Sequence, residues 1–151
     1  MKTGGSHRIA AVILAGGLAE RMGECKILLP LLRRGALEQI VTRMREAKIR
    51  DILVVSGAYQ EKTGREAVRL GCVPVFNAAY RTGMFSSILA CVRALSEDTD
   101  AFFLLPGATP PVKPATFCYL ADAFSAGYGR PDIVYPTFLG ATRAAPLIGP
   151  N

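Results

Sequence analysis

A chain of 151 residues, half of them hydrophobic and 20% charged, makes one domain with enough apolar material to bury a core unaided by disulfides or structural metal. Aromatic content is low, Trp is absent, and no apolar stretch is long enough to cross a membrane as a helix. The net charge of +6 suits a polyanionic ligand. Lys and Arg are nevertheless scattered, with no basic arm and no aromatic–basic interleaving, which argues against a nucleic-acid binder.

In chain order, residues 1–7 are expected to be a disordered leader. Lys2 and Arg8 ahead of an apolar run imitate a signal peptide, but the run is short and leads directly into Gly-Gly and charged residues. Ile9 to Leu14 reads as a strand buried on both faces, of the kind found in parallel sheets. Gly16-Gly17 then turns the chain with its N–H groups free of side-chain cover, a geometry that can cradle an anion. Arg21 and Lys26 place two cations in the same stretch. The loop is neither G-x-G-x-x-G nor G-x-x-x-x-G-K-[ST], because Lys26 stands three residues after Gly23 rather than beside it.

Ile27 to Leu32 is a short apolar segment ending in Arg33-Arg34-Gly35. Leu37, Ile40, Val41 and Met44 then fall at i, i+3, i+4 and i+7, one face of an amphipathic helix. Ile52 to Val55 is expected to form a second buried strand, stopped by Ser56-Gly57. Gln60 to Leu70 reads as a polar helix with Val68 and Leu70 as weak apolar contacts, ended by Gly71. Val73 to Phe76 is a third strand. The segment Asn77 to Ser87 leads into a helix with Ile88, Cys91, Val92 and Leu95 on its apolar face, so Gly83, Ser86 and Ser87 gather around a helix N-terminus. Ala101 to Leu105 is a fourth strand. Pro114 opens a helix at its first position, with Phe117, Leu120, Ala121 and Phe124 inward. Ile133 to Tyr135 is a fifth strand, and Pro136 to Asn151 reads as loop.

Four strand–helix alternations without paired hairpins predict an α/β fold with a doubly wound, mainly parallel sheet. Such sheets bind ligands beyond the carboxyl ends of their strands, where the loops after strands one, three and four open. Cys25, Cys72, Cys91 and Cys118 form no C-x-x-C pair and are expected to be reduced thiols of a cytoplasmic protein. All but Cys25, which falls inside the glycine loop, are expected to be buried. The lone histidine, His7, is given no role.

The stretch Leu14-Ala-Gly-Gly-Leu-Ala-Glu-Arg-Met-Gly-Glu-Cys-Lys26 resembles the L-A-G-G-x-x-x-R-M-G-x-x-K loop of nucleotidyltransferases, most closely that of the molybdenum cofactor guanylyl- and cytidylyltransferases. Asn77-Ala-Ala-Tyr-Arg-Thr-Gly-Met-Phe-Ser-Ser87 is similar to the same family's N-x-x-Y-x-x-G-M-x-S-S element. The resemblance implies a Rossmann-like fold of the nucleotide-diphospho-sugar transferase type and transfer of NMP from CTP or GTP to molybdopterin with Mg2+. It assigns the triphosphate to Gly16, Gly17, Arg21 and Lys26, with Arg21 and Lys26 catalytic. It implies nucleotide contacts at Leu14, Ala15, Asn77, Gly83, Met84, Ser86 and Ser87, and acceptor contacts at Arg143 and Pro146.

Three departures accompany it. Where the family carries a magnesium-binding aspartate after strand four, this chain has Ala108, and a methyl group cannot coordinate a hard cation. Where the family reads G-x-x-R-G-H-P-x-L-I, the Gly-His pair is Ala144-Ala145. Family members also continue for several more elements, so residues 8–151 read as a nucleotidyltransferase-like domain incomplete at its C-terminus. Two functions follow: an active nucleotidyltransferase, or a nucleotide-binding sensor or partner module of the same fold that has lost catalysis.

Overall fold

The computed structural model describes residues 7–16, 26–28, 30–31, 34–107, 109–110, 112–127, 133–138, 141–142 and 145–149. Strand β1 (Ile9–Ala15) is the centre of the sheet. Its side chains alternate between two cores, Ala11, Ile13 and Ala15 entering one and Ala10, Val12 and Leu14 the other, which is why its sequence is apolar without interruption. After a 3₁₀ turn at Lys26–Leu28, β2 (Pro30–Leu31) and β3 (Arg34–Gly35) pair antiparallel. Helix α1 (Ala36–Glu46) follows and buries Leu37, Ile40, Val41 and Met44, the four positions that the 3.6-residue period marks.

Next come β4 (Ile52–Ser56), α2 (Gln60–Arg69), β5 (Val73–Phe76), α3 (Met84–Ala94), β6 (Ala101–Pro106) and α4 (Pro114–Ala126). Four short strands close the described chain: β7 (Ile133–Val134), β8 (Thr137–Phe138), β9 (Ala141–Thr142) and β10 (Leu147–Ile148). The main sheet runs β5-β4-β1-β6-β10-β7. The first four strands are mutually parallel, and β10 lies antiparallel between β6 and β7. The sheet is therefore mainly parallel, as the alternation of elements predicts.

The larger core joins α1, α4 and Ala67 of α2 to one side of the sheet, with Phe103 and Phe117 packed edge to face at 5.1 Å between ring centroids. The smaller core gathers Val12, Leu53, Val55 and Phe102 around Cys91 of α3. No helix among the described residues is long and apolar enough to cross a membrane.

Several local expectations give way. Residues 136–151 are not simply loop, because Leu147 and Ile148 complete the sheet and Leu147 is fully buried against Phe103. A two-residue strand has no alternation to read, and its pairing depends on partners some 40 residues away. Val68 and Val92 are exposed, and α2 instead turns Thr63 and Ala67 inward. Cys118 is exposed while Cys72 and Cys91 are buried. His7, counted with the leader, lies edge-on to the ring of Phe124, and its neighbour Arg8 donates its backbone N–H to Asp100 and its Nε to Asp51.

Candidate functional site

The sheet register sets the carboxyl ends of four adjacent strands level. Ala15 stands opposite Ser56, Ser56 opposite Phe76, and Leu14 opposite Pro106. The residues that leave these ends are Gly16, Gly57, Asn77 and Gly107. Three carry no side chain and the fourth carries a short amide, so neighbouring segments pack directly onto these strand ends. Two of the ends are tied to their neighbours: the Gly107 N–H donates to Leu14 O at 2.8 Å, and the Asn77 N–H donates to Ser56 O at 2.9 Å.

Gly57 is required by close approach. A Cβ there would meet the Gly16 carbonyl oxygen at 2.7 Å and the Tyr80 Cβ at 2.7 Å, distances that real side chains do not adopt. Tyr80 thus lies directly over the end of β4, with the Arg81 guanidinium 5.5 Å from its ring centroid. Gly16 lies on the other side of the same contact, and the position its own Cβ would take is 3.3 Å from Ser87 Oγ.

Asn77 organises the loop between β5 and α3. Its Oδ1 accepts from the Ala79 N–H at 3.0 Å, an Asx-type turn that redirects the chain from strand to helix. Its Nδ2 donates to Ser86 Oγ at 2.8 Å and to Ser87 Oγ at 3.0 Å. Gly83 forms the N-cap of α3 at φ 111° and ψ 173°, a region open in practice only to glycine. Ser86 donates back to the carbonyls of Ala79 and Gly83. Asn77 and Ser87 are 4% and 5% exposed, so this small polar network is enclosed by the fold.

The structure brings Gly16, Asn77, Ser86 and Ser87 together at one sheet edge, with Gly83 and Met84 opening α3 beside them. The side chain of Met84 is mostly exposed, while those of Leu14 and Ala15 enter the two cores. Pro146 accepts from the Leu104 N–H at 3.1 Å, which places it toward the same carboxyl end of β6. Gly17, Arg21, Ala108 and Arg143 lie outside the described residues, and of Lys26 only the backbone is described, in its 3₁₀ turn. Tyr80 and Gly57 are the members of the cluster absent from the candidate residues. A strand ending in Ser-Gly and a tyrosine inside the second motif were the signals available for them.

No Asp or Glu stands at these four strand ends among the described residues. Asp51, Asp98 and Asp100 instead surround Arg8 at the start of β1, and no cluster of three potential metal ligands occurs among the described residues. Magnesium takes oxygen ligands, usually one or two carboxylates together with substrate phosphates and water, and the described strand ends supply no carboxylate. Ala145, where the sequence resemblance leads one to expect histidine, is fully buried with φ 73°.

An open, mainly parallel sheet with glycine-lined strand ends at its carboxyl edge is the ligand-binding edge of a doubly wound α/β protein. The model of the MobA-like NTP transferase domain matches residues 11–150, and the chain belongs to that family. Among solved structures, Rv0371c from Mycobacterium tuberculosis H37Rv is similar at a TM-score of 0.76 and 21% identity, over 96% of this chain and 72% of that one. A nucleotidyl transferase from Methanothermobacter thermautotrophicus is similar at 0.67 and 26% identity, over 76% and 57% of the two chains. The 4-diphosphocytidyl-2C-methyl-D-erythritol synthase from Anaerococcus prevotii is similar at 0.71 and 16% identity, over 95% and 70%. No curated protein sequence matches the chain.

Proposed function

We propose that this chain is a cytoplasmic nucleotidyltransferase that transfers NMP from CTP or GTP to molybdopterin. A terminal phosphate oxygen of the acceptor attacks the α-phosphorus of the triphosphate. The new P–O bond forms as the bond to the β-phosphate oxygen breaks, and pyrophosphate leaves with that oxygen. Backbone N–H groups of Gly16 and Gly17 hold the polyphosphate, and Arg21 and Lys26 offset the charge that builds on the transferring and leaving groups. Leu14 and Ala15 anchor that loop from the core. Asn77, Gly83, Met84, Ser86 and Ser87 form the base and ribose side, and Arg143 and Pro146 the acceptor side.

The observation that carries this reading is the meeting of Gly16, Gly57 and Ser87 at the sheet's carboxyl edge, where the glycines let the ends of β1 and β4 and the start of α3 approach within contact distance. Membership of the MobA-like family supplies the reaction class. The test is pyrophosphate release from CTP or GTP with a phosphorylated pterin acceptor. Release that requires both substrates is expected, and none at high protein concentration counts against it. Calorimetric titration with each triphosphate, using Lys26→Ala as the weakened control, measures the binding step separately.

A second reading rests on the departures from the family. Ala145 is sealed in the core where the family carries histidine, and the strand ends described lack a carboxylate. On this reading the chain binds a triphosphate without turning it over and serves as a sensor or partner module. Binding would then survive removal of magnesium, and Ala108→Asp would introduce a dependence on it.

A further inference from the structure

The orientation of the Asn77 amide follows from hydrogen-bond chemistry alone. A backbone N–H can only donate, so the Asn77 atom 3.0 Å from the Ala79 N–H is the oxygen. The nitrogen therefore faces Ser86 and Ser87, and each of its two hydrogens has one serine oxygen to go to, at 2.8 and 3.0 Å. The amide's donors are fully occupied inside the protein.

The two serines differ in what remains to them. The single hydroxyl hydrogen of Ser86 has the carbonyls of Ala79 at 3.0 Å and Gly83 at 2.7 Å to choose from, so Ser86 is satisfied as donor and acceptor. Ser87 accepts from Asn77 and has no acceptor for its own hydrogen among the described residues, although it is 5% exposed. Its Oγ stands beside Gly16 at the carboxyl end of β1, 3.3 Å from the position a Cβ there would take.

We infer that Asn77 is a positioning residue. By donating to Ser87 Oγ it keeps that lone pair engaged and turns the Ser87 hydrogen outward, so Ser87 meets the ligand as a donor. The ligand atom it meets is then an acceptor, a base carbonyl, ring nitrogen or ribose oxygen of the bound nucleotide. Ser86, satisfied by the Ala79 and Gly83 carbonyls, holds the loop that carries Ser87. This inference rests on the proposal that the edge binds a nucleoside triphosphate.

Asn77→Asp tests it with little change in volume. A carboxylate accepts and does not donate, so both serine hydroxyls turn inward toward it and Ser87 ceases to be a donor. Titrations with CTP, GTP and inorganic triphosphate are compared for the wild type, S87A, N77D and the N77D/S87A double variant. S87A and N77D are each expected to weaken the nucleoside triphosphate that the wild type binds about tenfold, and the double variant to be no worse than S87A, because Asn77 acts through Ser87. Inorganic triphosphate, which has neither base nor ribose, is expected to bind S87A as it binds the wild type. Additive losses in the double variant, or unchanged affinity in S87A or in N77D, overturn the inference and leave the nucleotide site standing. A wild type that binds neither CTP nor GTP overturns both. Should N77D fail to fold, N77A and N77A/S87A take its place in the same comparison with S87A.

Discussion

Gly57 and Gly16 leave adjacent strands so close together that a methyl group on the first would lie 2.7 Å from the carbonyl oxygen of the second. The Tyr80 side chain closes the other side at the same distance, and the Gly16 backbone cannot move aside cheaply. Gly57→Ala is therefore expected to destabilise the protein by about 2–3 kcal/mol in urea denaturation, at the upper end of overpacking costs. Gly64→Ala is the matched control. That glycine lies inside α2 with its nearest neighbour 4.0 Å from the added carbon, so the change should stabilise by about 0.5–1 kcal/mol through helix propensity.

Gly83 presents the opposite problem. Nothing lies within 4 Å of the position its Cβ would take, yet φ 111° with ψ 173° is conformational space that side chains avoid. Gly83→Ala should cost about 1–3 kcal/mol in thermal denaturation, entirely through backbone strain. Because Ser86 donates to the Gly83 carbonyl, the strain is also expected to lower triphosphate affinity.

Leu147 measures how much the last strand contributes. It is fully buried and faces Phe103 in the antiparallel pairing of β10 with β6. Leu147→Ala should destabilise by about 2–5 kcal/mol, whereas Ile133→Ala, on a residue 45% exposed in β7, should lose much less. Equal and small losses in denaturant titration would show that β10 is peripheral.

The thiols should separate by pH and position. Burial pushes the Cys91 thiol up to about 11 from 9.0 and raises Cys72 as well. A raised thiol value stabilises the fold while the unfolded thiol is still protonated. That contribution is present below pH 9.0 and falls away as pH rises toward about 11. Stability measured across that interval should decline. At pH 8, alkylation mapped by mass spectrometry should reach exposed Cys118 well before Cys72 or Cys91.

Much of the frame is legible in the amino-acid order because periodicity reports burial directly. The unbroken apolar run of β1 announces a strand covered on both faces, and the spacing of Leu37, Ile40, Val41 and Met44 announces the inner face of α1. The loop resemblance points to nucleotidyltransferases, and the comparison establishes membership of the MobA-like NTP transferase domain family. Periodicity misleads where small or polar residues face inward, as Thr63 and Ala67 do in α2 while Val68 is exposed.

The chain by itself determines which segments become strands and helices, since each segment's own apolar period and its glycine and proline stops are local properties. Tertiary structure alone decides that Leu147 and Ile148 belong to the sheet, because two residues acquire strand geometry only when β6 and β7 supply hydrogen-bonding partners on either side. It also decides that Gly57 and Tyr80 join Gly16, and that the Asn77 amide divides itself between two serines. Those relations are distances across strands and loops that folding brings together, and spacing along the chain does not encode them.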